Sequence, residues 1–176
     1  MSLPAYTAST ILPSMCRPVV AATKFIGVGS LGLLTGVSFG ASFATIKSLL
    51  TLPSAPAAHR SFTHLTTTLS TLTTPLTYLT TISFLTAYLF SPSYKRHPYL
   101  LITAMLPVLS SGYASIVLSP KTNRMEKLIE DNGEKGVNGE ELRDGMLDWE
   151  RAYWGVVAGR GLGFLMAVVG IWGDGA

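Results

Sequence analysis

Apolar residues run through this chain in long blocks without charge, and the polar residues are gathered between them. Residues 25–46, 61–94 and 97–120 contain no Asp, Glu, Lys or Arg, and the stretch 152–173 is interrupted only by Arg160. A helix needs about 20 mainly apolar residues to cross a hydrocarbon core of about 30 Å. Each block meets that length. The pattern predicts an all-α protein: an integral membrane four-helix bundle with one polar, acidic loop between spans three and four.

The same pattern divides the chain. An N-terminal tail (1–18) precedes span one (19–46), and a Thr-rich connection (47–70) leads to span two (71–90). A basic connector (91–97) precedes span three (98–118). The acidic loop (119–151), span four (152–173) and a C-terminal tail (174–176) complete it. Nine of the ten acidic residues lie between Glu126 and Glu150. The segment 140–149 has helical spacing, with Leu142, Met146 and Trp149 on one side, a face suited to the membrane surface. Trp149, Tyr153 and Trp154 read as interfacial aromatics. From Phe62 to Thr81, ten of twenty residues are Thr. Thr hydroxyls can bond back to the preceding helical turn or form a polar contact face. Pro75 marks the start or a kink of span two, Pro98 suits a first helical turn, and Pro107 should kink span three.

Composition agrees: mean hydropathy is +0.39 with 13% charged residues, and the formal charge of +3 forms no basic face for nucleic acid. Cys16 is the only cysteine, which excludes an intrachain disulfide and a cysteine metal cage. His59, His64 and His97 have no partner at metal-ligand spacing. No phosphate loop, nucleophile elbow or metal box is present, so the reading names no catalytic, cofactor-binding or metal-ligating residue. Basic residues flank both ends of the spans, so the positive-inside rule leaves orientation open.

Two features invite a role. Gly32, Gly36 and Gly40 in span one, and Gly155, Gly159 and Gly163 in span four, recur every fourth residue, which brings backbones close in a membrane. The expectation is that spans one and four pack on each other, with homo-oligomerisation as the alternative. Arg160 is the single charge inside a span, about 10 Å in from Tyr153 at 1.5 Å per residue. It either snorkels toward the interface or serves a function.

Arg96, His97, Pro98, Tyr99, Leu100 and Leu101, followed by Pro107, Ser110 and Ser111, resemble the fungal autophagy-related protein thirty-three family. Thr23-Lys24, the Ser30–Leu33 run and the Gly170–Gly175 ending are also similar to it. The resemblance implies a multi-pass protein of the mitochondrial outer membrane that promotes selective autophagy of mitochondria without enzymatic activity. The lipid bilayer, and autophagy machinery met through the acidic loop, are then its implied partners. The loop departs from the family pattern in carrying only Ser119 and Thr122 as hydroxyl residues, which argues against control by phosphorylation. A second resemblance links Arg160 and the glycine-rich run after it to anthrone-oxygenase-like four-span membrane enzymes. It implies cofactor-independent oxygenation, with Arg160 stabilising an anthronate anion and His97 or His64 accepting a proton. An oligomeric membrane scaffold is the third reading.

Overall fold

The computed structural model describes the backbone of residues 8–91, 97–136 and 138–175, and the side chains of 18–91, 97–130 and 138–173. Helix α1 (Ala8–Gly40) passes through a π-helical segment (Ala41–Thr45) into the short α2 (Ile46–Leu49). After a turn at 50–54 comes α3 (Ala55–Phe90). Helix α4 (Pro98–Tyr113) continues through a second π segment (Ala114–Leu118) into α5 (Ser119–Gly136), and α6 (Gly139–Gly175) closes the chain. Among the described residues there is no strand, as an all-α chain requires.

Proline sets two of the boundaries. Ser91 and His97, each followed by Pro, are both extended (ψ 135° and 132°), because a following proline ring disfavours helical backbone. Pro98 then opens α4, as expected. Pro75 and Pro107 lie inside α3 and α4 without ending them. Most of the basic connector, Lys95 and Arg96 included, lies outside the described residues, as does the start of the N-terminal tail.

Two expected connections are helical instead. The Thr-rich segment 47–70 contributes to α3, which begins at Ala55 rather than near residue 71. β-Branched Thr is a modest helix former, but its hydroxyl can bond the carbonyl one turn back. Thr66, Thr71 and Thr77 donate in this way to Thr63, Thr67 and Thr73 at 2.8–3.0 Å. The polar segment 119–151 is not a loop but a helical hairpin, with only residues 137 and 138 between α5 and α6. Its apolar stripe finds a protein face. Met125, Leu142, Met146 and Trp149 are 1–3% exposed and join one core with Ile46, Leu49, Ala58, Phe62 and Leu69. That stripe is therefore buried in the fold and is not free to lie on a membrane surface.

The long helices pack antiparallel in the order α1, α3, α4, α6, with α6 returning to α1. A second core, made of Leu31, Leu34, Phe84, Ala87, Leu100, Ala104 and Ala167, fills the half that holds the α3–α4 connection.

Candidate membrane interface and buried arginine

The register between helices follows from named contacts. Ser30 and Thr80 hydroxyls meet at 2.8 Å between α1 and α3. Thr81 Oγ1 donates to the Ala104 carbonyl at 3.3 Å between α3 and α4. Phe39 and Trp154 rings meet edge to face at 5.8 Å between α1 and α6. In that register most of the exposed large apolar side chains form one belt. Phe25, Phe90, Leu101 and Trp172 stand near one rim; Phe43, Leu72, Ile116 and Trp154 stand near the other. On α1, α3 and α6 the rims are 18 residues apart (25 to 43, 72 to 90, 154 to 172), or about 27 Å of helix. Beyond the second rim Lys47 lies over the Phe43 ring at 4.9 Å, as a cation does at an interface. The belt encloses one charge, Arg160.

Helices α1–α2, α4–α5 and α6 are long and apolar enough to cross a membrane. Helix α3 falls short on average hydropathy because of its Thr content, but the average hides a sorting by face. Between the rims Thr73, Thr77, Thr80 and Ser83 are buried, whereas Leu72, Tyr78, Leu79, Ile82, Leu89 and Phe90 point outward.

The two glycine stripes have different surroundings. A Cβ on Gly155 would come to 2.9 Å from the Tyr113 ring, and one on Gly163 to 3.4 Å from Leu106 Cβ. On Gly159 it would overlap the Ser110 hydroxyl, and on Gly170 the Tyr99 ring. These partners all belong to α4. Span four thus turns most of its glycines to span three, while Gly161 meets Thr35, and Gly163 also Leu31, on span one. In span one Gly32 receives the Phe164 ring, while Gly36 and Gly40 have nothing within 4 Å. Spans one and four do touch, through Phe164, Arg160 and Trp154, but not glycine against glycine.

The remaining described motif residues divide between packing groups and outward-facing ones. Leu100 is fully buried in the second core, Pro107 is buried inside α4, and Leu101 faces outward. Ser110 donates to the Leu106 carbonyl at 2.7 Å, and Ser111 approaches the Thr77 hydroxyl at 3.5 Å. His97 is exposed at the start of α4, its ring 6.0 Å from Tyr99. Sequence reasoning missed the partnership of α4 with α6. The signal was present: Tyr99, Leu106, Ser110 and Tyr113 repeat with nearly the spacing of Gly170, Gly163, Gly159 and Gly155.

Arg160 is 3% exposed, and its Nη1 donates to Ser38 Oγ on α1 at 2.5 Å. His97 is 13 residues of α4 away from Ser110, the neighbour of Gly159, or about 20 Å along the axis. His64 is exposed on the α3 segment beyond the belt. Neither histidine meets Arg160, so the proton acceptor of the oxygenase reading is not assembled.

At the polar end Lys121 on α5 donates to the Asp148 carboxylate on α6. This hydrogen bond, aided by the nearby charges of Lys121, Arg151 and Arg124, holds the Asp148 carboxyl below its ordinary value against a smaller opposing cost of desolvation. A depressed folded-state value means that the clasp contributes above the ordinary carboxylate pKa and is lost as pH falls through the folded one. Titration of the Asp148 carboxyl by NMR should move up toward the ordinary value in Lys121→Gln. An unchanged titration would mean that the pair does not form in solution.

An all-helical chain with three helices fit to cross a membrane and a folded polar hairpin at one end has the architecture of a membrane protein. The chain belongs to the Autophagy-related protein 33 family, whose sequence profile matches residues 15–140. It is also 38% identical over 183 residues to Autophagy-related protein 33 of the fungus Gibberella zeae, covering 89% of this chain and 92% of that one. No solved structure matches it.

Proposed function

We propose that this chain is a multi-pass protein of the mitochondrial outer membrane that promotes selective autophagy of mitochondria as a non-enzymatic accessory factor. Family membership supports the autophagy role, and the resemblance carried by the His97–Leu101 and Pro107–Ser111 runs supports the organelle. The belt supports a four-span topology. A rim spacing of about 27 Å suits a hydrocarbon core, and α3 becomes a true span once Thr73, Thr77 and Thr80 are counted as inward-facing. Both termini and the α3–α4 connection then share one side, and the charged α5–α6 hairpin projects from the other, into the cytosol. There it is the natural contact for the autophagy machinery, presented as a rigid surface rather than a loose tether.

The test is starvation-induced vacuolar processing of a matrix-targeted fluorescent reporter in a deletion strain, with bulk autophagy followed in parallel. The expected result is loss of mitochondrial turnover alone, restored by the full chain. Normal turnover in the deletion strain, or a tagged chain confined to the endoplasmic reticulum, would count against the proposal.

A further inference from the structure

Arg160 carries a charge at membrane depth that no carboxylate among the described residues balances. It lies six residues inward of Trp154, about 9 Å at 1.5 Å per residue. The chain has no acidic residue before Glu126 and none on α6 between Glu150 and Asp174. Among the described residues the ionisable partner of the guanidinium is the Tyr153 phenol, two turns back along α6, which shares a hydrogen bond with it and is no carboxylate. Arginine does not lose its proton in proteins, so the charge cannot be removed by titration. Nor does the side chain reach water. Its Nη1 turns inward to Ser38, whose own hydroxyl donates to the Leu34 carbonyl at 2.7 Å.

The hydrogen-bond inventory is as unbalanced as the charge. The Arg160 Nε–H is fully buried and has no partner. One turn along α1 from Ser38, the Ser42 hydroxyl is also fully buried and without a partner. Ser42 belongs to the π segment Ala41–Thr45, where the helix is locally widened next to α6. Single-turn π segments of this kind recur at binding sites. A buried polar group left unpaired costs about 1–3 kcal/mol, and more when it is charged. These are two buried donors lacking an acceptor, one on the guanidinium itself and one a helical turn from its Ser38 partner, and among the described residues the cation has no carboxylate partner. A water molecule would answer only the first deficit, and a metal cation would worsen both.

We propose that Arg160 and Ser42, with Ser38 and Tyr153 beside them, form a binding site for one small inorganic anion of halide size within the transmembrane part of the fold. The near-complete burial of these groups favours a monatomic ion such as chloride over a phosphate or a lipid headgroup. The bound ion would neutralise Arg160 and accept from Nε and from the Ser42 hydroxyl, tying α6 to α1.

The experiment is thermal unfolding of the full chain, purified in detergent without added lipid, at constant ionic strength. Chloride, inorganic phosphate and gluconate are compared. Chloride should raise Tm by about 3–5 °C for each tenfold increase above its Kd, while phosphate and gluconate do nothing. Arg160→Leu should abolish the chloride effect and melt above the wild type in gluconate, since an unbalanced buried charge has gone. Ser42→Ala, a small change that spares the fold, should weaken chloride by about tenfold or more. Tm values indifferent to the anion would mean that water alone fills the site, and would overturn the proposal. A phosphate effect equal to that of chloride would overturn the assignment to a monatomic ion. If Arg160→Leu does not fold, Ser42→Ala decides: unchanged chloride affinity would refute the site.

Discussion

Phe62→Ala will destabilise the protein by about 3–5 kcal/mol, the range for a buried aromatic truncated in a packed core. Phe62 is 1% exposed and meets the Trp149 ring edge to face at 5.3 Å, while Trp149 stacks on Tyr153 at 4.6 Å. In the proposed topology Phe62, Trp149 and Tyr153 lie outside the belt, where water would surround the helices and the hydrophobic effect would apply in full. The aromatic cluster pins the acidic hairpin to α3, so its loss should make α6 near Trp149 cleavable by protease at a temperature where the wild type resists. Phe84→Ala is the matched control. Phe84 is fully buried too, but inside the belt, beside Gly27. There the unfolded helices remain in lipid, so packing is lost with little transfer free energy, and the cost should be clearly smaller. Equal costs for the two, measured by thermal unfolding in nanodiscs, would mean that the belt is not where the bilayer sits.

The second large effect is a contrast between two glycines with the same sequence signature. Gly159→Leu should cost about 1–3 kcal/mol by overpacking and should separate α6 from α4. Its side chain has to enter the space of Ser110, which is itself held to the Leu106 carbonyl. Gly36→Leu should leave the monomer's melting unchanged, because nothing lies within 4 Å of the added carbon. Engineered cysteines at Leu106 and Gly163 report the α4–α6 contact by cross-linking. Cross-linking that survives Gly159→Leu would refute the close approach. A Gly36→Leu variant that melts normally but migrates faster on native gels would show that this glycine meets a second molecule.

Much of the architecture was legible along the chain. The uncharged blocks give the positions of the apolar helices, and Pro98 gives the start of α4. The block of nine acidic residues reads as the polar end of the molecule, and the motif around His97 points to the family. The helical state of residues 119–136 was harder to see. Its Gly and Asn content resembles a loop, and its helix is stabilised by Met125 packing against residues far away in the sequence. The length of α3 was hidden for a similar reason: low Thr propensity is offset by back-bonding and by burial against α1 and α4.

Charge spacing and hydropathy along the chain, by themselves, determine that the protein is helical, membrane-like and acidic at one end, with a lone Arg160 in its last apolar run. Those quantities are properties of each segment and survive without a partner. The tertiary structure alone decided which face of each helix turns inward. It set Gly155, Gly159 and Gly170 of α6 on α4, turned Thr73, Thr77 and Thr80 of α3 in and Leu72, Leu79 and Leu89 out, and folded the polar segment into a hairpin. It also left Arg160 beside Ser38 with no carboxylate partner among the described residues. A helix face has no inside until another helix fixes its register, and that register is set by contacts between residues far apart in the chain.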